Sequence, residues 1–447
     1  MEIKNYKKIA TSELRKAALE MIKVGIEEVH PKKLLEAAVN YQSSTNSVII
    51  QNKTFDLLSG RIFVVGGGKG AGYMAEMLEE RLGPEKITAG VINCISDKYD
   101  LKKIKVNKAS HPIPDKRGVK GVEEMYRLKE DYKISEKDLV IALISGGGSA
   151  LMPLPIIEIE LEDKRATTQL LLECGASIHE INTVRKHLSQ VKGGRLGEYF
   201  FPARVAAIII SDVVGHDLNV IASGPNFPDS TTFFDSRAVL LKYNLIDKIP
   251  VRVQDYIERG CQGEKEETPK TLKRSDNFII GKNTIALEAI ALEAKKGGLR
   301  PIIETSSLTG DPSRALNEIT QNLFSNKYSN KDVVIFGGEL NPALPKEHGK
   351  GGRNQHFVAA NMLALENYEK EWVMISMGTD GADYLPKTAG AIIDNNSIQI
   401  ARENNISVEQ YLKSFDTYNL FKKLGNAHIV TGDTGTNVGD LIVYVIK

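Results

Sequence analysis

Residues Leu139–Pro155 read Leu-Val-Ile-Ala-Leu-Ile-Ser-Gly-Gly-Gly-Ser-Ala-Leu-Met-Pro-Leu-Pro, and this stretch narrows the possible folds sharply. The apolar run from Leu139 to Ile144 is too short for a helix and suits a strand buried on both faces. Such a strand belongs to a sheet with helices on both sides, an α/β arrangement. The run stops at Ser145-Gly146-Gly147-Gly148-Ser149. Consecutive glycines lose more entropy on ordering than any other residues, so a fixed loop there needs a compensating interaction. Close approach of backbone N–H groups to an anion supplies one, and the flanking hydroxyls can add hydrogen bonds to phosphate oxygens. A flexible surface turn is the alternative, but a turn rarely follows so apolar a strand so abruptly.

The pattern recurs along the chain. Arg61-Ile-Phe-Val-Val leads into Gly66-Gly-Gly-Lys-Gly-Ala-Gly72, then a helical pattern through Met74, Met77, Leu78 and Leu82. Gly66, Gly68 and Ala71 fit the dinucleotide spacing G-x-G-x-x-G/A, yet the next strand, Thr88–Cys94, ends with no acidic residue for a ribose. Lys69 either adds an ammonium beside the helix N-terminus or is a solvated surface lysine. In the stiff loop Ser110-His-Pro-Ile-Pro-Asp115, His111 and Asp115 either bind substrate or serve as caps and turn residues. Arg185, Lys192 and Arg195 bracket the glycine pair Gly193–Gly194, a place to hold carboxylate or phosphate. A second buried strand, Val205–Ile210, runs straight into Ser211-Asp212. A carboxylate at that end of a strand can hold Mg²⁺, orient a hydroxyl nucleophile, or simply cap a helix.

Ser12 caps a packing helix near the start, and residues 259–276 form a polar surface loop. Fresh strand–helix units begin at Asn277–Gly281 and at Asp332–Glu339. The latter leads to Gly349-Lys-Gly-Gly-Arg-Asn-Gln355, with Gly351 and Arg353, ahead of a helical stretch His356–Glu366. Trp372–Met377 ends at Gly378-Thr-Asp-Gly-Ala-Asp383, where Asp380 is a further carboxylate. Thr431–Asp440 precedes the last strand, Leu441–Ile446.

A chain of 447 residues exceeds one ordinary core, so two domains are expected, an N-terminal one over 1–245 and a C-terminal one over 246–447. Lysine plus arginine number 58 against 57 acidic residues, and no basic excess points to nucleic acid. The longest apolar runs fall far short of the ~18 residues a spanning helix needs. Met1–Lys8 has no signal-peptide core, and Cys94, Cys174 and Cys261 are too far apart in sequence to make a metal pair, so a cytoplasmic protein with reduced thiols is expected. P-loop, protein-kinase, zinc and G-x-S-x-G signatures are all missing. What remains is phosphate cradles, carboxylates at strand ends and cationic clamps, which are the parts of phosphoryl transfer.

These residues also resemble a known family, the glycerate kinases that carry a C-terminal MOFRL domain. The likeness runs from about residue 12 to 445. It rests on Gly68-Lys69, His111-Pro-Ile-Pro-Asp115, Ser145-Gly-Gly-Gly-Ser-Ala-Leu, Asn182-Thr-Val-Arg-Lys-His-Leu-Ser, Lys192-Gly-Gly-Arg195 and Ser211-Asp-Val. Ile221-Ala-Ser-Gly-Pro, Gly351-Gly-Arg-Asn-Gln355, Gly378-Thr-Asp-Gly381 and Thr434-Gly-Thr-Asn-Val438 complete it. The resemblance implies a Rossmann-like parallel sheet flanked by helices, then an α/β domain with its MOFRL region at about 330–445, and an active site in the interdomain cleft. It further implies ATP- and Mg²⁺-dependent phosphorylation of D-glycerate to 2-phosphoglycerate.

On this reading Lys69 and Arg353 neutralise the transferring phosphoryl group or the substrate carboxylate. Ser145 to Ser149 (Ser145, Gly146, Gly147, Gly148, Ser149), with Lys192, Arg195 and Gly351, hold the nucleotide. Asp212 is base or metal ligand, Asp380 a second metal carboxylate, and Arg185, His111 and Asp115 meet the substrate. The oligomeric state is left open, a homodimer included. Competing readings are a nicotinamide-dependent hydroxypyruvate reductase, from Gly66, Gly68 and Ala71, and a non-catalytic nucleotide or sugar-phosphate binder. The chain departs from the family pattern at Leu340–Pro345, where threonines and a valine are usual, and at His356, Tyr384, Asp433 and His216, where glutamate, glycine, proline and aspartate are.

Overall fold

Leu139–Ile144 is a strand buried at every position, and neighbouring strands run parallel to it on both sides. It belongs to a computed structural model that describes residues 1–57, 59–385 and 388–447. The chain divides into two units, Pro31–Ile280 and Met1–His30 with Gly281–Lys447.

The unit Pro31–Ile280 starts with a small antiparallel sheet of β1 (Val39–Gln42), β2 (Ser47–Ile50) and β3 (Lys53–Asp56). Its main sheet comprises β4 (Ile62–Gly67), β5 (Ile87–Cys94), β6 (Ile104–Lys108), β7 (Leu139–Ile144), β8 (Arg204–Ile210) and β9 (Ser275–Gly281), in the order β6-β5-β4-β7-β8-β9. Period-two alternation sorts the side chains. Phe63, Val65, Val140, Ala142, Ile144, Val205, Ala207 and Ile209 share a core with Val122 and Met125 of helix Lys116–Asp131 and with Leu196 and Phe200 of helix Arg195–Phe200. The intervening Ile62, Val64, Ile141 and Leu143 are fully buried too, which explains strands that are apolar throughout rather than alternating.

Strand order sets the position of the site. From β4 the chain steps outward through β5 and β6, then returns to place β7 on the other side of β4. This reversal between β4 and β7 opens a crevice at the carboxyl ends of the strands, where α/β sheets bind ligands. Gly67 of β4 pairs with Ile144 of β7, so the two glycine loops leave the sheet side by side.

The second unit carries a mixed sheet of β10 (Pro301–Gly310), β11 (Val333–Leu340), β12 (Trp372–Gly378), β13 (Gly390–Asp394), β14 (His428–Ile429) and β15 (Asp440–Ile446), ordered β10-β11-β15-β12-β13-β14. Strands β10 and β11 pair in parallel, while β15 pairs antiparallel with β11 and β12, and β13 pairs antiparallel with β12 and β14. Helix Glu13–Glu28, capped by Ser12 as expected, belongs here. Its Gly25 packs against Ile290, and its fully buried Arg15 bonds Asp394 through Nε at 2.6 Å. The expected boundary at 245/246 falls inside the first unit, just before helix Val251–Cys261. That helix also takes up the start of the expected loop at 259–276. No helix among the described residues is long and apolar enough to cross a membrane.

Candidate active site

Two glycine loops meet at the β4/β7 switch point, and they differ in what their amides do. After β4, Gly68 N donates to Asn93 O (3.2 Å), Lys69 N to Gly146 O (2.8 Å), Gly70 N to the Ser145 hydroxyl (2.9 Å) and Ala71 N to Gly68 O (3.3 Å). The Tyr99 ring lies over Gly72, 2.2 Å from where a side-chain carbon would start. The amides of this dinucleotide-like loop are therefore taken up largely by Asn93, Ser145 and Gly146, and an aromatic ring covers Gly72.

After β7 the opposite holds. Gly147 sits at φ +83°, a left-handed conformation that glycine adopts without strain. Among the described residues no protein acceptor is paired with the amides of Gly146 and Gly147. Ser149 Oγ lies 2.8 Å from Ser223 Oγ, and Ser223 donates to Asn182 Oδ1 at 2.9 Å. Ala222, Ser223 and Gly224 all have positive φ, a strained turn of the kind that gathers at functional sites.

This loop opens on a cavity of ≈ 650 Å³ lined by His111, Gly147, Ser149, Lys164, Arg185 and Lys192 among others. Lys192 is 1% exposed and Lys164 6% exposed. Their ammonium groups donate to main-chain carbonyls, Lys192 to Ser149 O (2.8 Å) and Met152 O (3.4 Å), Lys164 to Pro153 O (3.1 Å). Among the described residues none of Lys164, Arg185 and Lys192 has an acidic partner in an ion pair. Glu162 is the one carboxylate among the described residues of the lining. Burial, with the charge of Arg185 added, pushes the Lys164 ammonium down to about 7. Burial, with Lys164 and Arg185 beside it, drives Lys192 well below the usual lysine range, and burial also lowers Arg185. Burial, with Arg185 close by, depresses Lys164 and Lys192 beside an open cavity, the electrostatic setting of a site for an anion.

Lys69 and His111 flank the same loop, 3.2 Å and 2.9 Å from the carbon a side chain at Gly147 would begin with. Ser145 braces the first loop through Gly70, and Gly148 starts the short helix Gly148–Leu151. Asp115 does not line the cavity; its carboxylate caps helix Lys116–Asp131 through Gly118 N at 3.1 Å and pairs with Arg117. Arg195 is also outside the lining and donates to Glu266 O at 3.1 Å. Asp212 is half-buried just past β8. Lys164 is the residue that sequence reasoning missed: within Glu160-Leu-Glu-Asp-Lys-Arg165 it reads as an ordinary exposed helix charge.

In the other unit Arg353 is committed to carboxylates. Its Nε and Nη2 donate to Asp440 at 2.6 and 2.8 Å, and Nη1 lies 3.2 Å from Glu339. Burial opposes its charge, and Asp440 more than offsets this. The N-terminus of helix Arg353–Ala364 holds a carboxylate of the protein: Asp383 accepts from Asn354 N (3.0 Å) and Gln355 N (2.8 Å). Burial raises the Asp383 carboxyl to about 6 in spite of these bonds. Gly351 and Arg353 line a smaller cavity, and Asp380 accepts from Ala382 N at 3.0 Å.

No group of three metal-ligating side chains occurs among the described residues. Mg²⁺ bound chiefly through substrate phosphates needs only one or two carboxylates; Asp212 stands just past β8 in one unit, and Asp380 accepts from Ala382 N in the other.

Open loop amides at the switch point, joined to a cavity of counter-ion-deficient cations, define an α/β protein that handles small polyanionic molecules. A family model described as a domain of unknown function, DUF4147, matches residues 17–258, and the MOFRL family model matches 332–440. The chain belongs to the family that joins these two regions. Glycerate 2-kinase of Pyrococcus horikoshii is 38% identical over 97% of this chain and 98% of its own. The crystal structure of glycerate kinase from Thermotoga maritima is similar with TM-score 0.82 and 36% identity, covering 97% of this chain and 99% of that one. An Agrobacterium vitis protein provisionally named hydroxypyruvate reductase is 34% identical over 93% of each chain.

Proposed function

We propose that this protein transfers the γ-phosphoryl group of ATP to the C2 hydroxyl of D-glycerate, with Mg²⁺, in the cytoplasm. The observation that carries the reading is the cation cluster of Lys164, Arg185 and Lys192 beside the open amides of Gly146 and Gly147. Substrate and donor are both anions, and phosphoryl transfer is catalysed chiefly by positioning and charge neutralisation. Gly146, Gly147 and Ser149 present N–H and hydroxyl donors to phosphate oxygens. Lys192 and Lys164 neutralise charge from below the loop, while Lys69 and His111 close its other side. Arg185 clamps the glycerate carboxylate, which holds the adjacent C2 oxygen more firmly than the freely rotating C3 oxygen. Asp212 takes the proton from that hydroxyl or holds the metal. Asp212 would help hold Mg²⁺, which would supply charge neutralisation for the phosphate groups.

The reductase reading loses its basis here, because the glycine loop it needs has satisfied amides and a tyrosine over it. The test is ADP release from ATP that requires both D-glycerate and a divalent metal. Enolase added without phosphoglycerate mutase then converts the product to phosphoenolpyruvate at once. Phosphoenolpyruvate only after mutase is supplied means the C3 oxygen was phosphorylated. NADH oxidation by hydroxypyruvate, without glycerate-dependent ADP release, would replace the kinase reading altogether.

A further inference from the structure

Within the unit Pro31–Ile280, Ser149 of the cavity wall is the outer end of a chain of three polar side chains. The other two, Ser223 and Asn182, are 0% and 3% exposed. Ser149 Oγ lies 2.8 Å from Ser223 Oγ, and Ser223 Oγ lies 2.9 Å from Asn182 Oδ1. A hydroxyl carries one proton. Ser223 gives its own to Asn182 Oδ1, so the Ser149 proton goes to Ser223. Ser149 then turns only lone pairs toward the cavity. A phosphate oxygen is an acceptor and needs the opposite.

The heavy atoms of this chain are held in place. The carbonyl of Ser223 accepts from Gly193 N (3.0 Å), and that of Gly224 accepts from Gly194 N (2.7 Å). Ala222 packs on Gly148, its Cβ 2.8 Å from where a side chain there would begin. Asn182 belongs to helix Ile178–His187, capped by Ser177. What is unfinished is the Asn182 carboxamide: its Nδ2 is buried with no hydrogen-bond partner among the described residues. A buried donor in that state is unfavourable. Turning the carboxamide over exchanges nitrogen and oxygen with almost no change of shape, and presents Ser223 with a donor in place of an acceptor. Both orientations make the one contact to Ser223, so a ligand at Ser149 can decide between them.

We propose that Asn182 is a positioning residue that sets the direction of this chain. When a phosphate binds, the carboxamide turns, Nδ2 donates to Ser223, Ser223 donates to Ser149, and Ser149 donates to a phosphate oxygen. No covalent bond changes; each hydroxyl rotates about its C–O bond. The hydrogen bond to the charged oxygen is the strongest of the three and drives the turn. The inference rests on the phosphate-binding reading above and adds what makes Ser149 a donor.

Nuclear magnetic resonance of the Asn side-chain amides, with tripolyphosphate as the probe, tests this without turnover. The Asn182 signal is assigned by its absence in Asn182→Asp, which keeps the side-chain shape. Saturating tripolyphosphate should move one Asn182 amide proton downfield, as a new hydrogen bond requires. Ser149→Ala should bind tripolyphosphate about tenfold more weakly, and at saturation its Asn182 signal should stay where it is in the free protein. A signal that does not move in the unmodified protein overturns the proposal. So does one that moves equally in Ser149→Ala, since the ligand then acts on Asn182 without the chain. Neutron diffraction on the unmodified protein, with and without tripolyphosphate, reads the same event with no substitution: Nδ2 toward Ser223 only in the complex supports the turn, and Oδ1 toward Ser223 in both overturns it. Tripolyphosphate that fails to bind the unmodified protein overturns the chain and the phosphate cradle together. Binding and turning without glycerate-dependent ADP release would leave the chain standing and count against the kinase reading alone.

Discussion

The Nζ of Lys192 donates to the main-chain carbonyl of Ser149 at 2.8 Å, tying a fully buried cation to the backbone of the glycine loop it serves. The bond does two things at once. It partly satisfies an ammonium that has no acidic partner among the described residues, and it ties down the loop that lines the cavity through Gly147 and Ser149. Replacing Lys192 with methionine keeps the apolar stem and removes a desolvated charge, so Lys192→Met should fold. Turnover of D-glycerate should fall by roughly 10²-fold or more. Near-normal turnover in a folded variant would reduce Lys192 to a loop brace.

Lys164 provides a pH test with a definite sign. Its folded value of about 7 lies below the ~10.4 of an unfolded chain. Between those values the unfolded chain holds a proton that the folded one lacks, so stability in the absence of ligand rises with pH across the window. The penalty is fully present below about pH 7. Lys164→Met should therefore stabilise the free protein by about 1 kcal/mol or more near pH 6 and by little near pH 10. Denaturant titrations at the two pH values read this directly. The same variant should bind tripolyphosphate more weakly, and in the unmodified protein that binding should weaken as pH rises past 7. A pH-independent effect of the substitution on stability would contradict the proposed shift.

Lys69 stands beside Gly147, and its role is tested by charge geometry. Lys69→Ala should lower kcat by roughly 10²-fold with the fold intact. Lys69→Arg should restore only part of it, since a planar fork does not reproduce a point charge. Full activity in Lys69→Ala would make it a surface lysine.

Arg353 and Asp440 form a two-bond pair with Asp440 only 3% exposed. Lysine cannot make both bonds. Arg353→Lys should therefore destabilise the protein by about 2 kcal/mol or more, because a buried carboxylate loses part of its pairing. An unchanged melting temperature would show that the pair contributes nothing to stability.

Much of this molecule was readable from local pattern. The runs at Ile62–Val65, Leu139–Ile144 and Val205–Ile210 are strands as their apolar continuity required. Ser12 caps its helix, and the strand Leu139–Ile144 does end in a tight glycine turn, with Gly147 at φ +83°. These features depend on neighbours in sequence, through backbone sterics and side-chain burial. Tertiary structure decided the rest. Gly66–Gly72 has the better-known spacing, yet Ser145, Gly146, Asn93 and Tyr99, remote in sequence, close it. Arg353 looked like an open clamp until Asp440, 87 positions away, took two of its donors. Lys164 looked like solvated helix charge, and only burial beside Arg185 and Lys192 makes it a depressed cation at a cavity wall. Helix Glu13–Glu28 joins the unit formed by the end of the chain, through Gly25 against Ile290 and Arg15 on Asp394. Sequence pattern specifies what each segment wants to bury or bond. Which partner it finds depends on solvent exclusion and charge proximity, and these exist only once distant segments are packed together.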